Sequence, residues 1–329
     1  MKRILLSVVI AVVAIASAFA QDALVATLQH GENTVTAFYG ASALEKAHDA
    51  AQSGDIITLS VGTFNAVEIT KAVKIYGAGY EMDAEHNRYR TALQGTTYIK
   101  LPSSESGFLM EGIYTDDYVY VRDTLSQATF SRCRFYVLEF RNETKSVNCM
   151  IDRCRFSGAL YPQNAENMLV RNSVLYHVGS ISEESTMLVN NCVIYSVSAI
   201  AQYRNCIINA PNTNAGCSYY NCVYSTYWGR PNGNVSNAYT SSNGALNEVL
   251  HLFTDTEMQH IKYDDNCNYV LNEQAAAKYI GTDGTQVGIY GGATPFTSVT
   301  SLPQIVSKQI ATETSTDGKL SVKITVEAQ

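Results

Sequence analysis

The 329-residue chain has little charge, little proline and little tryptophan: 16% of its residues are charged, and it holds 6 Pro and 1 Trp. Sparse charge beside 46% hydrophobic residues excludes the charge-rich disordered class. The 23 basic residues are outnumbered by 30 acidic ones, so nucleic acid is not an expected partner. No apolar run approaches the ~20 residues that span a bilayer, and membrane insertion is not expected. Cysteine is absent until Cys133, which leaves nothing near the N-terminus to carry a lipid anchor. What the chain has instead is 22 Tyr and 21 Gly among many Val, Ile, Thr and Ser. That mixture is the raw material of a β-rich fold.

The N-terminus reads as a targeting segment. Lys2 and Arg3 precede an apolar run over 4–15, and Ala18-Phe19-Ala20 supplies an A-x-A site. A signal peptide over 1–20 is expected, cleaved near Ala20, delivering a secreted or periplasmic chain that is not lipid-anchored.

A repeat organises the middle. Ser131-Arg132-Cys133-Arg134-Phe135, Asp152-Arg153-Cys154-Arg155-Phe156, Arg171-Asn172-Ser173-Val174-Leu175, Asn190-Asn191-Cys192-Val193-Ile194, Arg204-Asn205-Cys206-Ile207-Ile208 and Tyr220-Asn221-Cys222-Val223-Tyr224 align. Their central positions lie 21, 19, 19, 14 and 16 residues apart. A segment this short cannot bury a face alone, but copies stacked on one another can. Residues i and i+2 of a strand share a face. Cys133 with Phe135, and each corresponding pair, should therefore point inward as stacked small and large columns. The Asn or Arg before the small residue should sit at a left-handed bend, which Asn tolerates. Cysteines in one repeat slot suit packed thiols, since free Cys behaves as a small buried hydrophobe; disulfides in an exported protein are the other reading.

Further motifs flank the repeat. Ala41-Ser42-Ala43-Leu44-Glu45-Lys46-Ala47 predicts a capping helix near 42–52, with Ser42 and Glu45 as a capping box. Gly54-Asp55-Ile56-Ile57-Thr58-Leu59, Gly62-Thr63-Phe64 and Val73-Lys74-Ile75-Tyr76-Gly77-Ala78-Gly79 follow. This order resembles the opening of right-handed parallel β-helix proteins of the pectate lyase-like superfamily, over about 41–295. Gly281-Thr282-Asp283-Gly284-Thr285 with Gly288-Ile289-Tyr290-Gly291-Gly292 resembles the closing segment of secreted bacterial β-helix proteins of uncharacterised type. The expected fold is thus all-β, a right-handed parallel β-helix (solenoid) with a short N-terminal capping helix. A C-terminal β-hairpin tail over 296–329 should dock on it, because Asp317-Gly318 signals a tight turn and Leu320, Val322, Ile324 and Val326 alternate. Val174, Val193, Ile207 and Val223 should form an outward apolar stripe, covered by part of 246–279.

Catalytic signatures are scarce. The resemblance implies that a lyase would hold calcium on a ladder of Asp residues, yet Asp116, Asp117, Asp123 and Asp152 are scattered. Glu183 and Glu184 are loop neighbours, and His177, His251 and His260 are isolated. No metal site is expected, and no cofactor, with calcium needed only by a lyase. Arg132, Arg134, Arg153 and Arg155 would form an outward basic patch if their coils are in register, an anion site for an acidic glycan; a solvated face with Arg–Glu pairs is the plainer reading. Tyr227, Trp228 and Arg230 offer flat aromatics beside polar groups, as a sugar ring requires. The sequence points to an exported β-helix protein that binds polysaccharide or cell-surface glycan without confirmed catalysis. The alternative is a polysaccharide lyase or glycoside hydrolase acting on an acidic polysaccharide.

Overall fold

The computed structural model describes residues 24–31, 34–82, 89–141, 145–225, 234–236, 239–241, 252–254, 263–264, 266–302, 304–314 and 318–327. They form a parallel β-solenoid of about 9 turns. One coil shows the plan. Met150–Asp152 lies in the first sheet, Arg155–Tyr161 in the second and Ala165–Glu166 in a short third. Met168–Arg171 then returns to the first sheet, one coil on.

The repeat produces this geometry residue by residue. Phe135 stands opposite Phe156, Phe156 opposite Leu175, and Leu175 opposite Ile194. All four are fully buried, and so is the small column Cys133, Cys154, Ser173, Cys192, Cys206 and Cys222. All eight cysteines are buried free thiols. The column thiols donate to backbone carbonyls of the preceding coil, Cys154 Sγ to Phe130 O at 3.4 Å and Cys222 Sγ to Tyr203 O at 3.4 Å. Ser173 fits the same slot because its hydroxyl donates to Arg171 O and accepts from Cys154 N.

The bends are left-handed, as the motif requires: φ is +47° at Arg132, +55° at Arg153, +46° at Asn172, +52° at Asn191, +55° at Asn205 and +48° at Asn221. Each bend keeps its backbone N–H in the ladder. Asn172 N donates to Asn190 O, Asn191 N to Arg204 O, and Asn205 N to Tyr220 O. Gln127, Asn148 and Asn167 make a second bend column, at φ +54° to +55°.

The N-terminal end is closed twice. The helix Ala43–Ala50 buries Ala43, Leu44 and Ala47 against the first coil. Ser42 does not cap it with its side chain, which corrects the expected capping box; the hydroxyl instead accepts from Asn65 Nδ2. An antiparallel hairpin, Val25–His30 with Thr34–Tyr39, extends the first sheet beyond Ile56–Leu59. This hairpin lies outside the repeat, and no periodic motif announces it.

His48 in the helix makes the cap acid-sensitive. It is buried and accepts a hydrogen bond from Thr70 N through Nε2 at 3.1 Å. Burial, and then the Lys71 charge, lower its pKa below the ordinary 6.5. The unfolded chain then binds the proton more readily, so stability should fall as pH drops below 6.5 and level off below the folded-state pKa. His48→Gln should flatten that part of a melting-temperature profile. An unchanged slope in the variant would remove His48 as the cause.

At the other end the chain doubles back. A second apolar cluster joins Val174, Val193, Ile207 and Val223 to Leu252, Phe253, Cys267, Tyr269, Leu271, Ala275, Tyr279, Val287, Ile289 and Phe296. The expected cover over the stripe is present, and it continues past 279 as a strap. Bend residues hold this strap in reverse order. Asn221 Nδ2 donates to Ile280 O, Asn205 Oδ1 accepts from Thr282 N, and Asn172 Nδ2 donates to Ile289 O and Gly291 O. Ser301 N reaches Glu111 Oε1, several coils back. Strands Gln304–Thr314 and Leu320–Glu327 then pair antiparallel, with Gly318 in the left-handed region. Asp317 lies outside the described residues, as does the expected signal peptide.

Candidate functional site

The four arginines do not form an open patch. Register places Arg134 opposite Arg155, and Arg155 opposite Val174, so they lie in the column that runs from Tyr114 to Val193 and Ile207. The strap covering the apolar part reaches Arg155 too, leaving it 6% exposed. Its Nη2 donates to Cys267 O at 3.1 Å, and its guanidinium lies beside the Tyr269 and Phe296 rings. Arg132 is 8% exposed and pairs with Glu111 at 3.2 Å. Burial and the neighbouring Arg153 charge lower its pKa. Arg153 Nη2 and Arg171 Nε both donate to the buried Asp152, at 2.6 and 2.8 Å. Arg134 stacks on Tyr114, 5.1 Å from its centroid. The expected outward patch is therefore corrected: Arg132 is buried against the Glu111 carboxylate and Arg155 beneath the strap. Tyr227, Trp228 and Arg230 lie outside the described residues.

The outer face of the second sheet carries a different constellation. Along one row, Tyr98 stands opposite Tyr120, Tyr120 opposite Glu139, and Glu139 opposite Tyr161. Tyr98 and Tyr120 stack at 5.7 Å, Tyr120 and Tyr118 at 5.2 Å, each pair inclined by 17°. Tyr136 meets Tyr118 edge-on at 5.8 Å and is 43% exposed. The Arg122 guanidinium sits 4.5 Å from the Tyr120 centroid and 5.0 Å from that of Tyr98; Arg141 adds a second cation at 5.7 Å. Burial first, and then the Glu139 carboxylate, raise the Tyr120 pKa, so its hydroxyl stays a donor at neutral pH.

Two glycines shape this face. A Cβ on Gly158 would meet the Tyr136 carbonyl oxygen at 2.5 Å, and one on Gly179 would meet Tyr161 Cε1 at 2.6 Å. Without side chains there, the two rings can lie close over the neighbouring coil. Further along, Tyr176 and Tyr195 stack at 5.2 Å and 8°, braced edge-on by Tyr263 from the covering segment. Strand Ile113–Val121 lies three coils from Val174–Val178, so the two tyrosine groups are about 14 Å apart along the axis. His177 meets Tyr161 edge-on and lies 3.3 Å from Ser196 Oγ; burial lowers its pKa, so it is neutral at pH 7.

Among the described residues no three His, Cys, Asp or Glu side chains converge as a metal site, and no helix is long and apolar enough to cross a membrane. Comparisons with family models, with curated proteins and with solved structures gave no match.

The tyrosine face escaped the sequence reading, although its signal was present. Tyr136, Tyr176 and Tyr195 each stand three residues after the small slot, at Cys133, Ser173 and Cys192. In the Cys-x-apolar-Tyr pattern the residue after the inward apolar one points outward. Aligning one residue further would have shown the column.

Proposed function

We propose that the protein is an exported glycan-binding or surface-interaction module whose contact surface is the tyrosine-bearing outer face of the second sheet. The observation that carries the proposal is the cation-flanked stack of Tyr98, Tyr120 and Tyr118, on the same outer face as the Tyr176–Tyr195 pair, whose row adjoins that of Tyr118. Aromatic faces suit the apolar side of a sugar ring, while Arg122, Arg141, Glu139 and Asp117 supply polar partners at its rim. An extended polysaccharide laid along the axis would meet both groups. The start of the chain supports export, and the β-helix opening that resembles the pectate lyase-like superfamily supports a polysaccharide partner.

Affinity electrophoresis against acidic and neutral polysaccharides tests this reading. Tyr120→Ala and Tyr176→Ala should each weaken binding about 2- to 10-fold, while the exposed Tyr89→Ala should not. Unaltered binding in both variants would overturn the placement. Oligosaccharides released by the unaltered protein would favour the lyase or hydrolase alternative.

A further inference from the structure

Among the described residues, the N-terminal hairpin ends the first sheet in an edge strand, Thr34–Tyr39, with no strand beyond it. Edge strands are normally protected by charge, proline, a bulge or a covering element. Thr34-Val35-Thr36-Ala37-Phe38-Tyr39 has no charge and no proline, and pairs without a register shift. Val35 and Tyr39 are the most exposed apolar side chains on it, at 63% and 62%.

The hydrogen-bond phase of the edge can be read from its neighbour. Gly40 N donates to Leu24 O, and Gly40 and Leu24 continue the register that pairs Phe38 with Ala26. Antiparallel pairs alternate between those that exchange both bonds and those that exchange none. Phe38, Thr36 and Thr34 therefore direct their backbone groups inward to Val25–His30. Val35, Ala37 and Tyr39 direct theirs outward.

We propose that this edge is a self-complementary interface, and that a second copy of the chain pairs with it antiparallel about a two-fold axis through Ala37. In that register Ala37 faces Ala37 of the second copy, and Val35 faces Tyr39 in both directions. All three outward N–H groups and all three carbonyls find partners, six hydrogen bonds in all. The Tyr39 carbonyl also has Lys46 Nζ at 3.4 Å, and its second lone pair accepts the strand bond. The exposed valine and tyrosine cover each other as a cross-strand aromatic–β-branched pair. Charge favours the match: like faces like at a two-fold axis, and an uncharged strand meets its copy without repulsion. The two first sheets become one continuous sheet. This arrangement is independent of the tyrosine face, which lies on the other sheet.

A single cysteine tests it, because all eight native thiols are buried. Opposed residues in a bonded antiparallel pair have Cα atoms about 5.5 Å apart, within disulfide range. Ala37→Cys should cross-link to a covalent dimer under mild oxidation, while Thr36→Cys, opposite Phe38, should not. The unaltered protein should sediment with twice the chain mass, and Ala37→Pro should sediment as a monomer with an unchanged circular dichroism spectrum, since the pairing phase directs Ala37 N–H away from Val25–His30 and, among the described residues, to no other partner. A single-chain mass for the unaltered protein throughout a dilution series would overturn the proposal. So would equal cross-linking at 36 and 37.

Discussion

Phe156→Ala is expected to cost about 3–5 kcal/mol of folding stability. The ring is fully buried in the large inward column, 5.3 Å from Phe135 on one side and opposite Leu175 on the other. Its loss removes burial and leaves a cavity whose walls are fixed from both neighbouring coils. A solenoid cannot collapse around such a gap as a helical bundle can, because the coil spacing is set by backbone ladders on either side. Urea unfolding followed by circular dichroism measures the effect. A loss below about 1 kcal/mol would mean that the coils close up on the missing ring.

Asn205→Ala should follow at about 2–4 kcal/mol, for a different reason. Its side chain accepts from Thr282 N at 2.8 Å, and its backbone carbonyl accepts from Gly288 N at 2.8 Å. Alanine would leave the strap donor unpaired and would itself be held at φ +55°, where a Cβ is strained. Asn148→Ala provides the contrast. Asn148 has φ +54° but is exposed, so only the backbone strain of about 1–2 kcal/mol should appear. Limited proteolysis separates the two outcomes. Asn205→Ala should be cut early between 280 and 301, and Asn148→Ala should not. Equal resistance would show that the strap does not depend on its asparagine anchor.

The contrast between these residues marks how far the sequence could be read. Inward columns were legible because a strand's period of two turns Cys-x-Phe into a statement about direction. The left-handed bends were legible because Asn before a small residue has few other uses. The apolar stripe over Val174, Val193, Ile207 and Val223 was legible as a surface in need of cover. Arg155 was misplaced because local spacing shows that a side chain points outward, not what lies over it. Its neighbours Cys267 and Phe296 come from more than 110 positions away. The Asp152–Arg153–Arg171 and Glu111–Arg132 pairings were hidden for a related reason, since they depend on coil register as well as on composition. The capping helix near 42–52 was legible and is found at Ala43–Ala50, whereas the edge strand belongs to an antiparallel hairpin that follows no repeat at all.

The reversed course of the strap changes how the coils share stability. A bare stack of repeats is joined only through nearest neighbours and can fray from either end. Here one segment bonds at Ile280 to the coil of Asn221 and at Ser301 to the coil of Glu111. Coils with no mutual contact are thereby tied into a single cooperative unit, as a spine binds the pages of a book. The solenoid is complete only when this strap has been laid down, so residues 280–301 decide whether coils far ahead of them in the sequence hold together.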